Sequence, residues 1–434
     1  MDRQTVIDDK QYVFRSWTAQ NNANPIHIEK GLGAFFWDTD GKRYLDLASQ
    51  RVNLNLGHNH PKMIAAMKSQ IETLTTCAQV FATDARAQAA KLIAQKTPGD
   101  LNKIFFTNSG SDAVEHAVRI AKIKTGRRKI MTMHKSYHGA TAGALTLTGD
   151  PRRWYIDPSL EVVRFFGPYL NQSVFYSENE REECNRSLEH LKQILKHENP
   201  ESIAAILIEP IVGSNGVLVP PNGYLENLKA LCEHHGILLI CDEVMTGFGR
   251  TGEWFAVDYW GVCPDMITFA KGVNSGYVPL GGVAISDRIA SYFDDNYFPG
   301  GGTYYGHPLA TATAVASITI LEEEQLIQKA KMLGLEIIEP KLNKIKIQSN
   351  VVSEIRGRGL FWAIEIHEQD LSLAAHGNQS ECLTKTIYKE ALKAGLFLLV
   401  NANCVFICPP LVISEHDLVD AMERLEEIIC SVTK

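Results

Sequence analysis

The sequence predicts an α/β fold: a large domain with a mainly parallel central sheet flanked by helices, and a smaller α+β domain. From about residue 103, short apolar runs bounded by turn residues alternate with stretches of helical periodicity, which is typical of a parallel sheet covered on both faces. Near residue 351 this pattern gives way to closely spaced strands. A chain of 434 residues also exceeds the usual size of one hydrophobic core, so we expect two domains.

The N-terminal part of the chain predicts a β-hairpin. Apolar segments at 34–37 and 43–47 flank the dipeptide Asp40-Gly41, which favours a tight turn between two strands. The residues before the hairpin are polar and irregular. The segment after it, 49–58, has mixed polarity and is expected to be a loop.

The alternating region predicts the elements of the large domain. Its predicted strands are 104–106, 129–133, 203–208, 237–241, 266–269 and 282–285. The predicted helices are 61–74, 84–95, 111–124 and 178–196. A mostly helical stretch then runs from residue 307 towards residue 345, with an interruption expected at Pro340 because proline disrupts a helix interior.

The last hundred residues predict the smaller unit. Its elements are strands at 352–355 and 360–366, a helix at 382–394, two short strands, and a final helix at 415–429. We therefore expect residues 60–325 to form the large domain. The N-terminal segment, 1–59, and the C-terminal segment, 326–434, are expected to form the small domain together.

Composition excludes several classes of function. The net charge of −7 and a pI near 6.1 give no general attraction to nucleic acid or to an anionic membrane. The nine cysteines are scattered without a CxxC or Cys/His pattern, so we expect no metal site and a reducing compartment. The N-terminus lacks a signal sequence, and no apolar run approaches the length of a membrane span. These features predict a cytoplasmic protein.

An acid and a lysine follow two neighbouring predicted strands. Asp242 comes directly after the apolar run 237–241, and Lys271 comes shortly after 266–269. Ligands of open α/β sheets bind outside the carboxyl ends of the strands, so both side chains are candidates for catalysis. Taken singly, an Asp at a strand end is often a helix cap, and a Lys before glycine is usually a solvated turn residue. Their pairing favours a catalytic site.

Three other strand ends carry candidate binding residues. Gly110 and Ser111 open a predicted helix, where free N–H groups suit a phosphate, although plain N-capping is the alternative. Tyr137 and His138 follow the strand at 129–133; an aromatic ring there can lie over a planar ligand or simply pack. Glu209 also follows an apolar run, and an ordinary turn is its alternative.

One kind of ligand accounts for all of these residues: a planar cofactor with a phosphate, a basic ring nitrogen and an aldehyde. Lys271 would hold the aldehyde as a Schiff base and, once freed by a substrate amine, would shuttle a proton. Asp242 would face the ring nitrogen and keep it protonated at neutral pH. A protonated ring withdraws electrons from the carbon beside the substrate nitrogen.

Six segments carry a family resemblance: NSGSDAVEHAVRIAK (108–122), SYHGAT (136–141), EPIVGSNGV (209–217), DEVMTGFGRTG (242–252), ITFAKG (267–272) and GGTYYGHPLA (301–310). In this order and spacing the chain resembles the class III pyridoxal-phosphate aminotransferases of fold type I over nearly its whole length. The resemblance implies pyridoxal 5'-phosphate as cofactor and a homodimer with the site at the interface. The cofactor-binding residues that it implies are Gly110, Ser111, Tyr137, His138, Glu209, Asp242, Val244, Lys271 and Thr303, the last for the partner subunit's cofactor.

The substrate branch is indicated by further segments. GDPRRW (149–154), FFGPYL (165–170) and AKGVNSGYVPLGG (270–282) are similar to enzymes that move amino groups from taurine, β-alanine or amines to pyruvate. Members that handle glutamate with ornithine or γ-aminobutyrate usually carry a glutamate at the position of Ser214. We expect a ping-pong aminotransferase. The alternatives are another donor (γ-aminobutyrate, a diamine or an amino sugar), a decarboxylase or aminomutase of this fold, and a non-catalytic relative.

Recognition of the substrate anion is the open question. Many members of the branch grip a carboxylate with an arginine in the loop that corresponds to 399–410, but this loop contains none. Since a desolvated, unpaired carboxylate is costly, we hypothesise that Arg51 replaces it, with Asn401 and Asn403 as polar helpers. The alternative is a surface arginine paired with a nearby acid. Two aromatic residues are further candidates for the pocket wall, with core packing as the alternative: Trp17 and Phe81.

Overall fold

The computed structural model describes residues 3–156, 161–367 and 383–432, and its strands form three sheets. The strands are β1 Ile28–Leu32, β2 Phe35–Asp38, β3 Arg43–Asp46, β4 Lys103–Thr107, β5 Lys129–Met133, β6 Val162–Phe165, β7 Ile203–Ile208, β8 Leu238–Asp242, β9 Met266–Phe269, β10 Gly281–Ile285, β11 Val352–Arg358, β12 Phe361–Ile366, β13 Leu396–Phe397, β14 Leu399–Asn401 and β15 Cys404–Ile407.

Fourteen α-helices are present in the described part of the chain. They are α1 Arg3–Tyr12, α2 Ser49–Val52, α3 Pro61–Thr73, α4 Asp84–Ala94, α5 Gly110–Thr125, α6 Ala142–Leu147, α7 Glu180–Glu198, α8 Tyr224–His235, α9 Asp287–Ala290, α10 Pro308–Glu323, α11 Leu326–Leu333, α12 Glu339–Gln348, α13 Leu383–Lys393 and α14 Glu415–Val432. None of these helices combines the length and the apolar character that crossing a bilayer requires.

The large sheet has seven strands in the order β4-β10-β9-β8-β7-β5-β6. Strands β5 to β9 run parallel, and only β10 is antiparallel to its neighbours β9 and β4. Every residue of β7, β8 and β9 is buried, as expected for central strands covered by helices on both faces. The predicted α/β fold with a mainly parallel sheet is confirmed.

The candidate residues meet at one edge of this sheet. Asp242 is the last residue of β8, Glu209 follows β7 directly, and Lys271 lies two positions beyond β9. At the end of β4, Ser109 caps α5, with its Oγ accepting the Asp112 N–H at 3.2 Å. The order of the strands therefore brings residues that are far apart in the sequence close together at one edge of the sheet.

Two four-stranded sheets complete the fold. One has the order β1-β2-β3-β13, so the N-terminal hairpin pairs with a strand near the C-terminus; the other has the order β11-β12-β15-β14. The hairpin turned on Asp40-Gly41 is present as predicted. The domain boundaries at 59/60 and 325/326 remain predictions.

A buried arginine joins these parts of the chain. Arg250 is fully buried, and its Nη1 donates to the carbonyls of Leu360 at 3.0 Å and Pro409 at 2.6 Å. Its Nη2 donates to Ser49 Oγ at 3.1 Å and Asn55 Oδ1 at 2.8 Å. One guanidinium thus links the N-terminal loop, the segment after β8 and the C-terminal segment.

Several predicted elements were wrong in detail. The first 32 residues contain α1 and β1, which lack an apolar pattern because both are largely exposed. Pro340 does not interrupt its helix, because the wider π-helical turn Gly334–Ile338 precedes it and changes the hydrogen-bond pattern that proline would otherwise disrupt. Three short strands, not two, follow α13. The predicted helix 382–394 is present from Leu383, and residue 382 lies outside the described residues.

Candidate active site

A cavity of about 220 Å³ opens at the carboxyl edge of the large sheet. Its wall is formed by Gly110, Ser111, Tyr137, His138, Gly139, Glu209, Asp242, Val244, Met245, Ala270 and Lys271. Eight of the nine residues expected to bind the cofactor therefore line one cavity. The ninth, Thr303, is exposed on the surface of the single chain.

Lys271 presents a reactive amine to this cavity. It adopts a positive φ of 43° directly after Ala270, and its amine donates no hydrogen bond to any residue that the structure describes. The pKa of Lys271 is lowered from 10.5 to about 8, mainly because the amine is buried; Asp242 and Glu209 oppose this decrease, and the charge of Arg152 adds to it. A large part of the amine is consequently neutral near pH 8, and a neutral amine is a nucleophile and a base.

The lowered pKa predicts an unusual pH profile for chemical labelling of Lys271. In protein freed of cofactor, acetylation of Lys271 is expected to rise up to about pH 8 and then level off, because the neutral fraction saturates above the pKa. Lys62, whose pKa the bond to Glu323 raises above 10.5, should still be gaining reactivity at that pH. Mass spectrometry of acetylated peptides measures both sites. Identical profiles for the two lysines would contradict the environment assigned to Lys271.

Asp242 is held by three donors. Its Oδ2 lies 2.8 Å from His138 Nδ1, and its Oδ1 accepts from Thr268 Oγ1 at 3.0 Å and from the Val244 N–H at 3.2 Å. His138 is braced in turn by its Nε2, which lies 3.2 Å from Thr132 Oγ1. The carboxylate is therefore fixed in orientation at the cavity wall while staying almost fully buried.

Glu209 organises the loops around the cavity. Its Oε1 accepts the Tyr137 N–H at 2.9 Å, and its Oε2 accepts the Gly213 N–H at 2.8 Å. Burial raises the pKa of Glu209 to about 7; the Asp242 charge raises it as well, while His138 and the two backbone bonds lower it. The sequence predicts Glu209 only as a cofactor-binding residue, and the structure adds that it fixes the backbone carrying Tyr137.

Two glycines keep the wall near the start of α5 open. A Cβ on Gly110 would meet both methyl groups of Val244 at 2.9 Å, and a Cβ on Gly139 would meet Ser111 Oγ at 2.3 Å. Ser111 Oγ also accepts the Ala140 N–H at 3.2 Å. A helix N-terminus with exposed donors beside an uncrowded backbone suits a phosphate, so these residues fit the expected cofactor.

Sequence reasoning missed an arginine beside this cavity. The guanidinium of Arg152 lies 3.6 Å from the ring centroid of Tyr137 and 5.6 Å from that of Trp17. It pairs with Asp150, and its Nη2 donates to Ser214 Oγ at 2.9 Å. Nothing in the segment GDPRRW (149–154) predicts this position, because two adjacent arginines after a proline are ordinarily solvated.

Two of the substrate candidates lie near Arg152. The ring of Trp17 meets the ring of Tyr137 edge-on, with centroids 6.1 Å apart, although Trp17 is 58% exposed. Asn401 Nδ2 donates to the backbone carbonyl of Ser214 at 2.7 Å. Both residues are therefore connected to the group around Tyr137.

The other candidates lie apart from the cavity of their own chain. Arg51 is exposed, and its charge acts on Tyr388 of α13, whose pKa burial raises and the arginine lowers. Asn403 Nδ2 donates to Glu365 Oε1 at 3.2 Å within the C-terminal sheet. Phe81 is 63% exposed. Arg51, the hypothesised anion contact, therefore acts on a residue of α13 and does not line the cavity of its own chain.

Comparisons with known proteins agree with the geometry. The family model of the class III aminotransferases matches residues 17–429. The 5-aminovalerate aminotransferase of Pseudomonas aeruginosa is 36% identical, and the 4-aminobutyrate aminotransferase of Escherichia coli is 34% identical; each match covers 93% of both chains. The structure of a taurine:2-oxoglutarate aminotransferase from Bifidobacterium kashiwanohense, in complex with PLP and glutamate, superimposes with a TM-score of 0.94 at 37% identity, covering 99% of this chain and 98% of that one.

Family membership follows from the length of these matches together with the cavity. The matches span nearly the whole chain, and the cavity combines a buried lysine, a fixed carboxylate and a helix N-terminus. Each of these features suits the binding of a phosphorylated pyridine aldehyde. The chain belongs to the class III aminotransferases, enzymes of fold type I whose cofactor is pyridoxal 5'-phosphate.

Proposed function

We propose that this aminotransferase takes the amino group of a short ω-amino acid with an anionic far end, such as taurine or β-alanine, and passes it to pyruvate by a ping-pong mechanism. The observation that carries the proposal is the single cavity that joins Lys271 and Asp242 to the N-terminus of α5. The donor class is supported by the similar proteins, which are named for 5-aminovalerate, 4-aminobutyrate and taurine.

The acceptor is proposed from the residues around Ser214. The family resemblance implies a glutamate at this position in members that use glutamate with ornithine or γ-aminobutyrate, whereas here the serine hydroxyl accepts from Arg152 Nη2 at 2.9 Å. The loop 399–410 also lacks an arginine for a second carboxylate. These features favour a keto acid with one carboxylate. The second candidate acceptor is 2-oxoglutarate, which the 37% identical structure names.

Different residues of the cavity would hold different parts of the cofactor. Gly110, Ser111 and the N-terminus of α5 would bind its phosphate, and Tyr137 and Val244 would flank its ring. Asp242, with His138 bonded to it, would pair with the ring nitrogen. When bound, the cofactor supplies an electron sink for the carbon that carries the amino group.

The catalytic contribution of the chain itself is proton movement and electrostatics. Lys271 would accept the proton lost by the donor carbon at Nζ and return a proton at the end of the half-reaction, a role that suits a lysine with a pKa of about 8. The fixed donors to Asp242 keep its charge in place throughout. Glu209 would act as a positioning residue, because it holds the backbone of Tyr137.

We also propose a homodimer with the site at the subunit interface. Thr303 and Phe81 are exposed in the single chain, which is consistent with a position beside the partner subunit. Light scattering should report twice the mass of one chain. A monomer that retains full activity would contradict this assignment.

The crowding at Gly110 predicts the effect of a minimal substitution. Gly110→Ala would push against Val244, where overpacking costs about 1 to 3 kcal/mol, so the affinity for pyridoxal phosphate should fall about tenfold or more. Titration of cofactor-free protein with pyridoxal phosphate measures this. Gly126→Ala at the other end of α5 is the control: its φ of 68° makes alanine costly for stability, but its added Cβ meets nothing within 4 Å and it does not line the cavity, so cofactor affinity should hold. Equal losses in both variants would refute the explanation.

A donor-by-acceptor panel tests the proposed function. Purified enzyme is incubated with taurine, β-alanine, 4-aminobutyrate or ornithine, each with pyruvate or 2-oxoglutarate, and the amino acid formed is quantified by chromatography. Alanine formed from taurine or β-alanine is the expected result. Glutamate as the dominant product would replace the proposed acceptor, and ornithine as the dominant donor would replace the proposed donor class.

A further inference from the structure

Building on the proposed function, we propose that Arg152 is the residue that binds the sulfonate or carboxylate of the substrates, through the open Nη1 edge of its guanidinium. This position takes over the anion recognition for which the loop 399–410 carries no arginine. If the proposed function is wrong, Arg152 still offers an anion site, so the two statements can be tested separately.

The guanidinium is fixed on one side and open on the other. Arg152 Nε donates to Asp150 Oδ1 at 3.0 Å and Oδ2 at 2.9 Å, and Nη2 donates to Asp150 and to Ser214 Oγ. Nη1 donates to no residue in the described part of the chain. The two N–H groups of Nη1 are therefore available as charged donors to one more anion.

The guanidinium of Arg152 lies beside the residues of the cavity. Its Cζ is 3.6 Å from the ring centroid of Tyr137, and Tyr137 lines the same cavity as Lys271. The positive charge of Arg152 acts on the amine of Lys271. With its side chain only 27% exposed, the guanidinium is partly shielded from water, which strengthens its attraction for an anion.

The surrounding loops hold this arrangement before a substrate arrives. Asp150, which is nearly buried, also accepts from Asn215 Nδ2 at 3.0 Å, and Asn401 Nδ2 binds the carbonyl of Ser214. The pair with Asp150 balances the arginine charge in the substrate-free protein. Little side-chain freedom remains to be lost on binding, which favours affinity.

The chemistry of one open edge favours ligands with a single anionic group. In taurine and β-alanine, the sulfonate or carboxylate lies one carbon beyond the amine-bearing carbon; in pyruvate, the carboxylate is attached to the reacting carbon itself. Because the anionic group lies at a similar distance from the reacting carbon in the donor and in the acceptor, one arginine at a fixed position can bind each of them in turn. The second carboxylate of 2-oxoglutarate would require another cation. Arg152 therefore acts as a specificity-determining residue for short monoanions.

Binding of unreactive analogues to the holoenzyme tests the proposal. Ethanesulfonate and propionate lack the amine, and propionamide lacks the charge; calorimetry should show binding of the two anions only. In Arg152→Gln the affinity for both anions should weaken about 10- to 100-fold, the effect of losing a charged hydrogen bond. Arg153→Gln is the matched control, because the charge of Arg153 acts on His134 and Arg164 instead. It should bind the anions as the wild type does.

A donor without an anionic group shows whether the variant is intact. The absorption band of the bound cofactor should respond to propylamine equally in the wild type and in Arg152→Gln, while the response to taurine weakens only in the variant. Unchanged anion affinity in Arg152→Gln overturns the proposal, as does a loss found in Arg51→Gln instead. Failure of every donor to transfer its amine would refute the proposed function, whereas loss of anion binding in Arg152→Gln would still support the site.

Discussion

Replacement of Lys271 by alanine is expected to lower kcat for amine transfer by about 100- to 10,000-fold, the usual contribution of a general acid–base group. The amine has no hydrogen-bond partner among the described residues, and its lowered pKa makes it a base near neutrality. No other lysine lines the cavity described here. Steady-state rates with saturating pyridoxal phosphate measure the effect.

Two comparisons separate chemistry from folding in this variant. Lys331→Ala removes an exposed lysine that pairs with Glu253, and it should leave kcat unchanged. Added methylamine should restore part of the activity of Lys271→Ala, because a small amine fits the space that the side chain leaves. Wild-type kcat in Lys271→Ala would remove Lys271 from the mechanism.

The second large effect is expected on stability, at Arg250. Arg250→Met removes a fully buried guanidinium that donates to Leu360, Pro409, Ser49 and Asn55. The four neutral acceptors would remain buried without their donor, and each buried acceptor left unsatisfied costs about 1 to 3 kcal/mol. Thermal unfolding of the holoenzyme should show a clearly lower Tm.

The control for Arg250 is an arginine on the surface. Arg128 has a side chain that is 84% exposed and pairs with Glu161, so Arg128→Met should change the free energy of unfolding by no more than about 0.5 kcal/mol. If Arg250→Met unfolds at the same temperature as Arg128→Met, the buried guanidinium does not hold the three segments together.

The central strands could be predicted closely because their environment is uniform. Strands β5, β7 and β9 have the predicted bounds, since short apolar runs between turn residues leave little ambiguity when both faces are buried. The residues lining the cavity follow these strands directly, so the order of the strands and the family resemblance together located them. Neither the strand order nor the family resemblance depends on how the loops pack.

The substrate side of the site could not be predicted in the same way. Arg152 gains its position from Asp150 beside it and from Ser214, 62 residues away, and neither contact leaves a periodic pattern in the sequence. The direction of the Arg51 side chain cannot be read from the sequence, because the backbone of α2 turns sharply at Gln50, whose φ is 58°. Side-chain direction in such a turn depends on tertiary contacts.

The most direct measurement is a visible absorption spectrum of the purified holoenzyme during two successive additions. Taurine or β-alanine is added first without any keto acid, and pyruvate is added second. The account predicts that the band of the lysine-bound cofactor bleaches on the first addition and returns on the second. A band that no ω-amino acid bleaches would contradict the proposed donor, and a protein that develops no band with pyridoxal phosphate would contradict the role of Lys271.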